Sequence, residues 1–291
     1  MSNEQRYALL LRRATRAALA TALLLALCKA VAWWYSGSVS LLAGLTDSLL
    51  DGAASLLNLL AVHYALRPAD EDHRYGHGKA EALAGLGQAT FIGVSAILVG
   101  IQGIDQLRHP EPLGAHALGI AVMLLSLAMT AALLLYQRHV IRLTSSSAIR
   151  ADALHYRSDL LLNGGILLAL VLASLGWEHL DALFGLLIAL YILWSAFSIA
   201  RESVTTLMDT ELPEAVRERM LRQVLDIPGV LGCHDLRTRA SGSHWFVQLH
   251  LELPGDLPLS QAHALCERAE AAIHGDYPNA QVLVHADPIE R

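Results

Sequence analysis

Cysteine is scarce. Only Cys28, Cys233 and Cys266 occur in 291 residues, and an odd count without a CxxC pair excludes both a disulfide framework and a thiolate zinc knuckle. Metal chemistry in this chain therefore falls to histidine and carboxylate. Charge is sparse as well: Asp, Glu, Lys and Arg make up 16% of the residues, against roughly 25% in an ordinary soluble domain. The formal net charge of -6 is spread over both signs, with no long basic run and no basic-aromatic interleaving, which excludes nucleic acid as a partner. Apolar residues dominate instead, at 54% of the chain with a mean hydropathy of +0.41. That composition belongs to a membrane protein.

Six apolar stretches of roughly twenty residues, the length that crosses a bilayer core, centre near Leu24, Leu56, Phe91, Leu125, Leu167 and Ile188. The first follows Arg12, Arg13 and Arg16 as a signal peptide would, but its apolar run continues to Trp33 and Trp34 and five further stretches follow. It is read as a retained span. Positive residues gather before span one (Arg6, Arg12, Arg13, Arg16), between spans two and three (Arg67, Arg74, Lys79) and between four and five (Arg138, Arg142, Arg150). The alternate connections, 36–40, 108–116 and 174–181, hold Arg108 alone. The positive-inside rule then puts both termini in the cytosol.

From about Asp209 the chain turns polar. Leu212 to Leu225 has helical spacing, and Trp245, Val247, Leu249, Leu251 and Leu253 alternate on one strand face after a turn at Ser241-Gly242. Ser260 is a candidate cap for a second helix reaching His274, and Gln281 to His285 reads as a last strand stopped by Pro288. The predicted architecture is an all-α bundle of six transmembrane helices over 1–208, followed by a cytosolic α+β domain over 209–291 of order αββαβ.

Span two contains Asp47-Ser48-Leu49-Leu50-Asp51 and span five His155-Tyr156-Arg157-Ser158-Asp159. On a helix, residues four apart share a face at roughly 5 to 6 Å, so two such helices facing each other offer four ligands to one ion. An ionised carboxylate at mid-bilayer costs at least about 2.5 kcal/mol. Three of them call for a cation, and the bland alternative is pairing with Lys29 or Arg157 or a place in the headgroup region. Asn58 and Asn163 continue the two polar stripes and read as interhelical hydrogen bonds, with Asp152 near the membrane edge. One imidazole with three carboxylates suits zinc, ferrous iron, manganese or cadmium, and four-coordination favours zinc. Metal needs these ligands deprotonated, so ion and proton displace each other, and His155 is the member that titrates in the physiological range.

Two further groups stand outside the spans. Asp70, His73 and His77 in the loop between spans two and three can close round one ion, although a charged loop containing His is common. In the tail, His250 lies opposite the apolar strand face, and with His234, His263, His285 and Asp287 it suggests a metal site, where any one alone would be an ordinary surface residue.

Taken together, Leu45-Thr46-Asp47-Ser48, Gly76-His77-Gly78-Lys79-Ala80-Glu81, Ala153-Leu154-His155-Tyr156 and His234-Asp235-Leu236-Arg237-Thr238-Arg239 resemble the cation diffusion facilitators, near the bacterial zinc and ferrous-iron efflux members. The resemblance implies a homodimer in the bacterial inner membrane that exchanges Zn(II), or Fe(II) or Cd(II), for protons by alternating access, and no enzyme. It implies a transport site of Asp47, Asp51, His155 and Asp159, a loop site of Asp70, His73 and His77, and a two-ion structural or regulatory zinc site of His234, His250, His263, His285 and Asp287 in a metallochaperone-like tail. Lys79 and Asp209 resemble a family ion pair that locks membrane and tail domains. Ala286 departs from the pattern, which has Gln there. Two rival readings are an intramembrane zinc-dependent enzyme, which four protein ligands leave without an open position, and a membrane-bound metal sensor that needs only the tail site.

Overall fold

The structure, a computed structural model, describes residues 3–37, 39–108, 117–174 and 180–289. The expected connections at 109–116 and 175–179 lie outside the described residues. The chain divides into two compact units, Met1–Pro68 with Ala80–Val204, and Ala69–Lys79 with Thr205–Arg291.

The first unit is built from six helices among the described residues: α1 (Asn3–Ser36), α2 (Val39–Ala65), α3 (Ala80–Arg108), α4 (Ala117–Thr144), α5 (Ser147–Ser174) and α6 (Leu180–Leu207). All but α5 are long and apolar enough over their described residues to cross a membrane. The first half of α5 instead carries Arg150, Asp152, His155, Arg157 and Asp159. Small residues let the helices approach closely, as membrane packing requires. Ala14, Ala18 and Ala22 recur along α1, while Ala89, Ala96, Ala151 and Ala196 bring α3, α5 and α6 together around Ile92 and Ile192. Leucines at 23, 24, 27, 49, 50, 56 and 57 stay exposed, the surface that lipid covers.

Polar side chains tie the start of α5 to its neighbours. The Tyr156 hydroxyl donates to the Ala18 carbonyl of α1 at 3.1 Å and lies 2.8 Å from Ser55 Oγ of α2. Gln88 of α3 and Gln137 of α4 donate to the two oxygens of Asp152 at 3.2 and 2.6 Å. Asp152 is completely buried, because two amides replace the water its carboxylate would otherwise need.

The second unit holds α7 (Glu214–Leu225), β1 (Gly232–Ser241), β2 (His244–Pro254), α8 (Leu259–Asp276) and β3 (Ala280–Ile289). This is the predicted αββαβ order. The sheet runs β1-β2-β3, with β1 and β2 antiparallel and β2 and β3 parallel; α8 is the crossover that a parallel pair demands. Val247, Leu249, Leu251 and Leu253 alternate into a core closed by Met220 and Val224 of α7 and by Leu265, Ala269 and Ile273 of α8. Two local expectations change. Pro258, not Ser260, stands at the α8 N-cap, with no side-chain cap bond. And β3 runs through Pro288 to Ile289, since an edge strand can turn a missing N–H outward.

Residues 69–79 pack within this second unit. Tyr75 meets Phe246 edge-on at 5.3 Å between ring centroids, and the Arg239 guanidinium lies over both rings at 4.6 and 4.8 Å. That contact explains why Phe246 is buried although it points away from the tail core.

Candidate metal centres

The α2 and α5 repeats meet where the spacing requires. His155 Nε2 lies 2.9 Å from Asp51 Oδ1 and 3.8 Å from Asp159 Oδ2, and one ligand atom from each residue fits within a 4.8 Å cluster. His155 is buried and the two carboxylates are half-buried, so the group sits inside the bundle yet remains reachable. Asp47, one turn earlier on α2, is exposed and stands outside this cluster. Of the two asparagines, Asn163 donates to the Asp159 carbonyl of its own helix at 2.8 Å. Asn58, buried on α2, faces Asp152. Arg157 turns away and stacks over Tyr191 at 5.1 Å.

Asp70, His73 and His77 also come together. Asp70 accepts the His73 backbone N–H at 2.7 Å, with His73 Nδ1 at 3.1 Å and His77 Nε2 at 3.3 Å. The backbone hydrogen bond from His73 holds the Asp70 carboxyl below the usual carboxylate range, so it is ionised and ready to take a cation. Lys79 Nζ lies 2.8 Å from Asp209 Oδ1, and both residues belong to the second unit. Burial alone would raise Asp209, but the Lys79 ammonium and then Arg239 bring it below its ordinary value.

In the tail the sheet register builds the site. His234 pairs with His250 across β1 and β2, and His250 with His285 across β2 and β3, which lines three imidazoles across three strands. A bulge between His234 and Arg237, with Asp235 at φ 50°, interrupts the ladder beside them and re-aims the chain there. His234, His250 and Asp287 form one candidate cluster. His285 Nε2 adds a contact to Asp287 at 3.2 Å. The hydrogen bond from His250, at 2.9 Å, keeps the Asp287 carboxyl below its ordinary range. His263 stands apart on α8, exposed, with Nε2 3.5 Å from Glu267. Sequence reasoning missed Glu252, whose Oε1 lies 3.1 Å from His234 Nδ1; its period-two spacing from His250 was the available signal. It also missed Gln88 and Gln137, which were visible only as lone amides inside apolar runs.

The loop's seat yields a test. A Cβ on Gly78 would run into the Ser241 carbonyl, which is backbone and cannot swing aside. Gly78→Ala is therefore expected to loosen 69–79 at a cost of about 1 to 3 kcal/mol. Limited proteolysis of the full chain should cut the variant faster in this loop. Equal rates in variant and wild type would show that the close approach is not kept.

Comparison with known proteins divides the chain between residues 208 and 212. Residues 15–208 match the cation efflux transmembrane domain and residues 212–289 the cytoplasmic domain of cation efflux proteins. The cation-efflux pump FieF of Klebsiella pneumoniae is 51% identical over 284 residues, covering 98% of this chain and 95% of the relative. FieF of Escherichia fergusonii is 50% identical over the same length and shares. Among solved structures, the zinc form of the zinc transporter CzrB is 33% identical over 28% of this chain and 97% of its own, with a TM-score of 0.25.

Proposed function

The chain belongs to the cation efflux family, the cation diffusion facilitators, and on that premise we propose that it exports a divalent transition-metal ion from the cytosol in exchange for protons. It is a multi-pass membrane transporter and not an enzyme. The observation that supports the reading most is the convergence of His155, Asp51 and Asp159 from two helices inside the bundle. Zinc, with ferrous iron and cadmium as further candidates, suits a site of one imidazole and carboxylates without sulfur. Asp47 would add a fourth ligand, making the four-donor set that zinc prefers.

Coupling follows from ligand chemistry. An ion holds neutral imidazole and ionised carboxylate, so protons arriving from the outer side release it outward, and their departure to the cytosol readies the site again. The protein is placed in a bacterial inner membrane with both termini cytosolic, which puts the loop and tail clusters on the side where metal accumulates. Domains of 1–208 and 209–291 then divide transport from sensing and dimerisation. His234, His250, His285 and Asp287, with His263, would hold zinc as a structural or regulatory ion in a homodimer. The nitrogen and oxygen donors present fit that ion. The Lys79 and Asp209 pair, both within the second unit, would fasten the loop after α2 to the start of the tail.

Proteoliposomes test the coupling. Zinc movement should drive an opposing proton flux reported by an internal pH dye, and a collapsed pH gradient should slow accumulation. Zinc flux indifferent to that gradient would remove proton exchange while leaving transport in place.

A further inference from the structure

A lysine stands inside the first span. Lys29 follows Leu27 and Cys28 within the apolar stretch Gln5–Tyr35, where an ammonium is costly and by default functional. A lysine serving only to reach the membrane surface would extend along its own helix toward water. Lys29 does not. It is half-buried, its stem passes within van der Waals reach of Gly44 of α2, and Nζ donates to Ser48 Oγ at 2.7 Å.

Ser48 sits between the two α2 carboxylates, next to Asp47 and three residues before Asp51. Through Ser48 the ammonium stands beside the stretch of α2 that carries both Asp47 and Asp51, yet neither Asp47 nor Asp159 forms an ion pair with it within 4.0 Å among the described residues. It therefore leaves the carboxylate oxygens open to another cation while adding a fixed positive charge beside them.

We propose that Lys29 is a tethered counter-cation of the transport site, a residue that compensates the carboxylates when the site is empty and competes with the incoming metal ion. Clustered carboxylates with no cation would hold a divalent ion too tightly to release it, because their mutual repulsion falls only when the ion arrives. An ammonium fixed beside them lowers that affinity and stabilises the empty site through the return step. Its hydrogen bond to Ser48 keeps it at the edge of the cluster, not in it. The inference rests on Asp51, His155 and Asp159 being the transport site.

The test is equilibrium zinc binding to the full-length protein in nanodiscs, by competition with a chromophoric chelator. The zinc that binds wild type but not Asp51→Ala defines the transport site and separates it from the loop and tail. Lys29→Met and Lys29→Gln are expected to bind this zinc at least about tenfold more tightly, the effect of deleting one charge at several ångströms in a partly shielded interior, with slower turnover in vesicles. Lys29→Arg should stay near wild type. Unchanged or weaker binding in both neutral variants would overturn the proposal, and two variants guard against one failing to fold. A wild type with no zinc beyond that of Asp51→Ala would overturn the transport site itself.

Discussion

Asp51→Ala is expected to abolish metal export, lowering zinc flux in vesicles by at least roughly 100-fold, since even groups that merely support a metal ligand are worth 10- to 100-fold. Asp51 carries this burden because it is the cross-helix partner of His155: its Oδ1 lies 2.9 Å from Nε2, whereas Asp159 reaches the same nitrogen from within α5 at 3.8 Å. Removing it leaves both remaining ligands on one helix, four residues apart, with nothing on α2 in the cluster. Cells carrying the variant should lose zinc tolerance, while zinc binding by the tail persists because His234, His250 and Asp287 belong to the other unit. A variant that transports at wild-type rates would show that the bundle cluster is not the path of the ion.

How much of this was legible depends on the range of the interaction. Asp47-x-x-x-Asp51 and His155-x-x-x-Asp159 could be read as helix faces because the helical period fixes which residues share a side. The alternation from Trp245 to Leu253 gave a strand for the same reason. The geometry between elements is a different matter. Spacing along α2 made Asp47 and Asp51 equal, but only the turn of α2 that meets α5 brings its carboxylate into the cluster. In the tail, five candidate ligands were named without a register. Pairing of β2 with β3 in parallel aligns His250 with His285, and α8 leaves His263 elsewhere. Phe246 breaks the alternation for a reason that no window on β2 contains, the arrival of Tyr75 and Arg239. The burial of Asp152 could not be read because its partners, Gln88 and Gln137, are 64 and 15 residues away.

That buried network carries the second large expectation. Asp152→Ala removes the acceptor of two amide donors in an interior that offers them no water, and each orphaned group costs about 1 to 3 kcal/mol. The sum, about 2 to 6 kcal/mol by the same estimate, is a large part of the roughly 5 to 15 kcal/mol that holds an ordinary domain together. The variant should melt well below wild type and elute heterogeneously in detergent. Asp152→Asn separates shape from charge. Its side chain fills the same space but presents one N–H2 toward a donor, and Gln137, whose Oε1 is buried without a hydrogen-bond partner, can turn its amide over to accept it. Most of the stability should return. If Asp152→Asn instead fails as Asp152→Ala does, the carboxylate is needed for its charge, and the amides are not merely closing a gap. If Asp152→Ala melts with wild type, the network is not what holds α3, α4 and α5 in register, and the placement of His155 three residues further along α5 must come from Tyr156 and its bonds to α1 and α2.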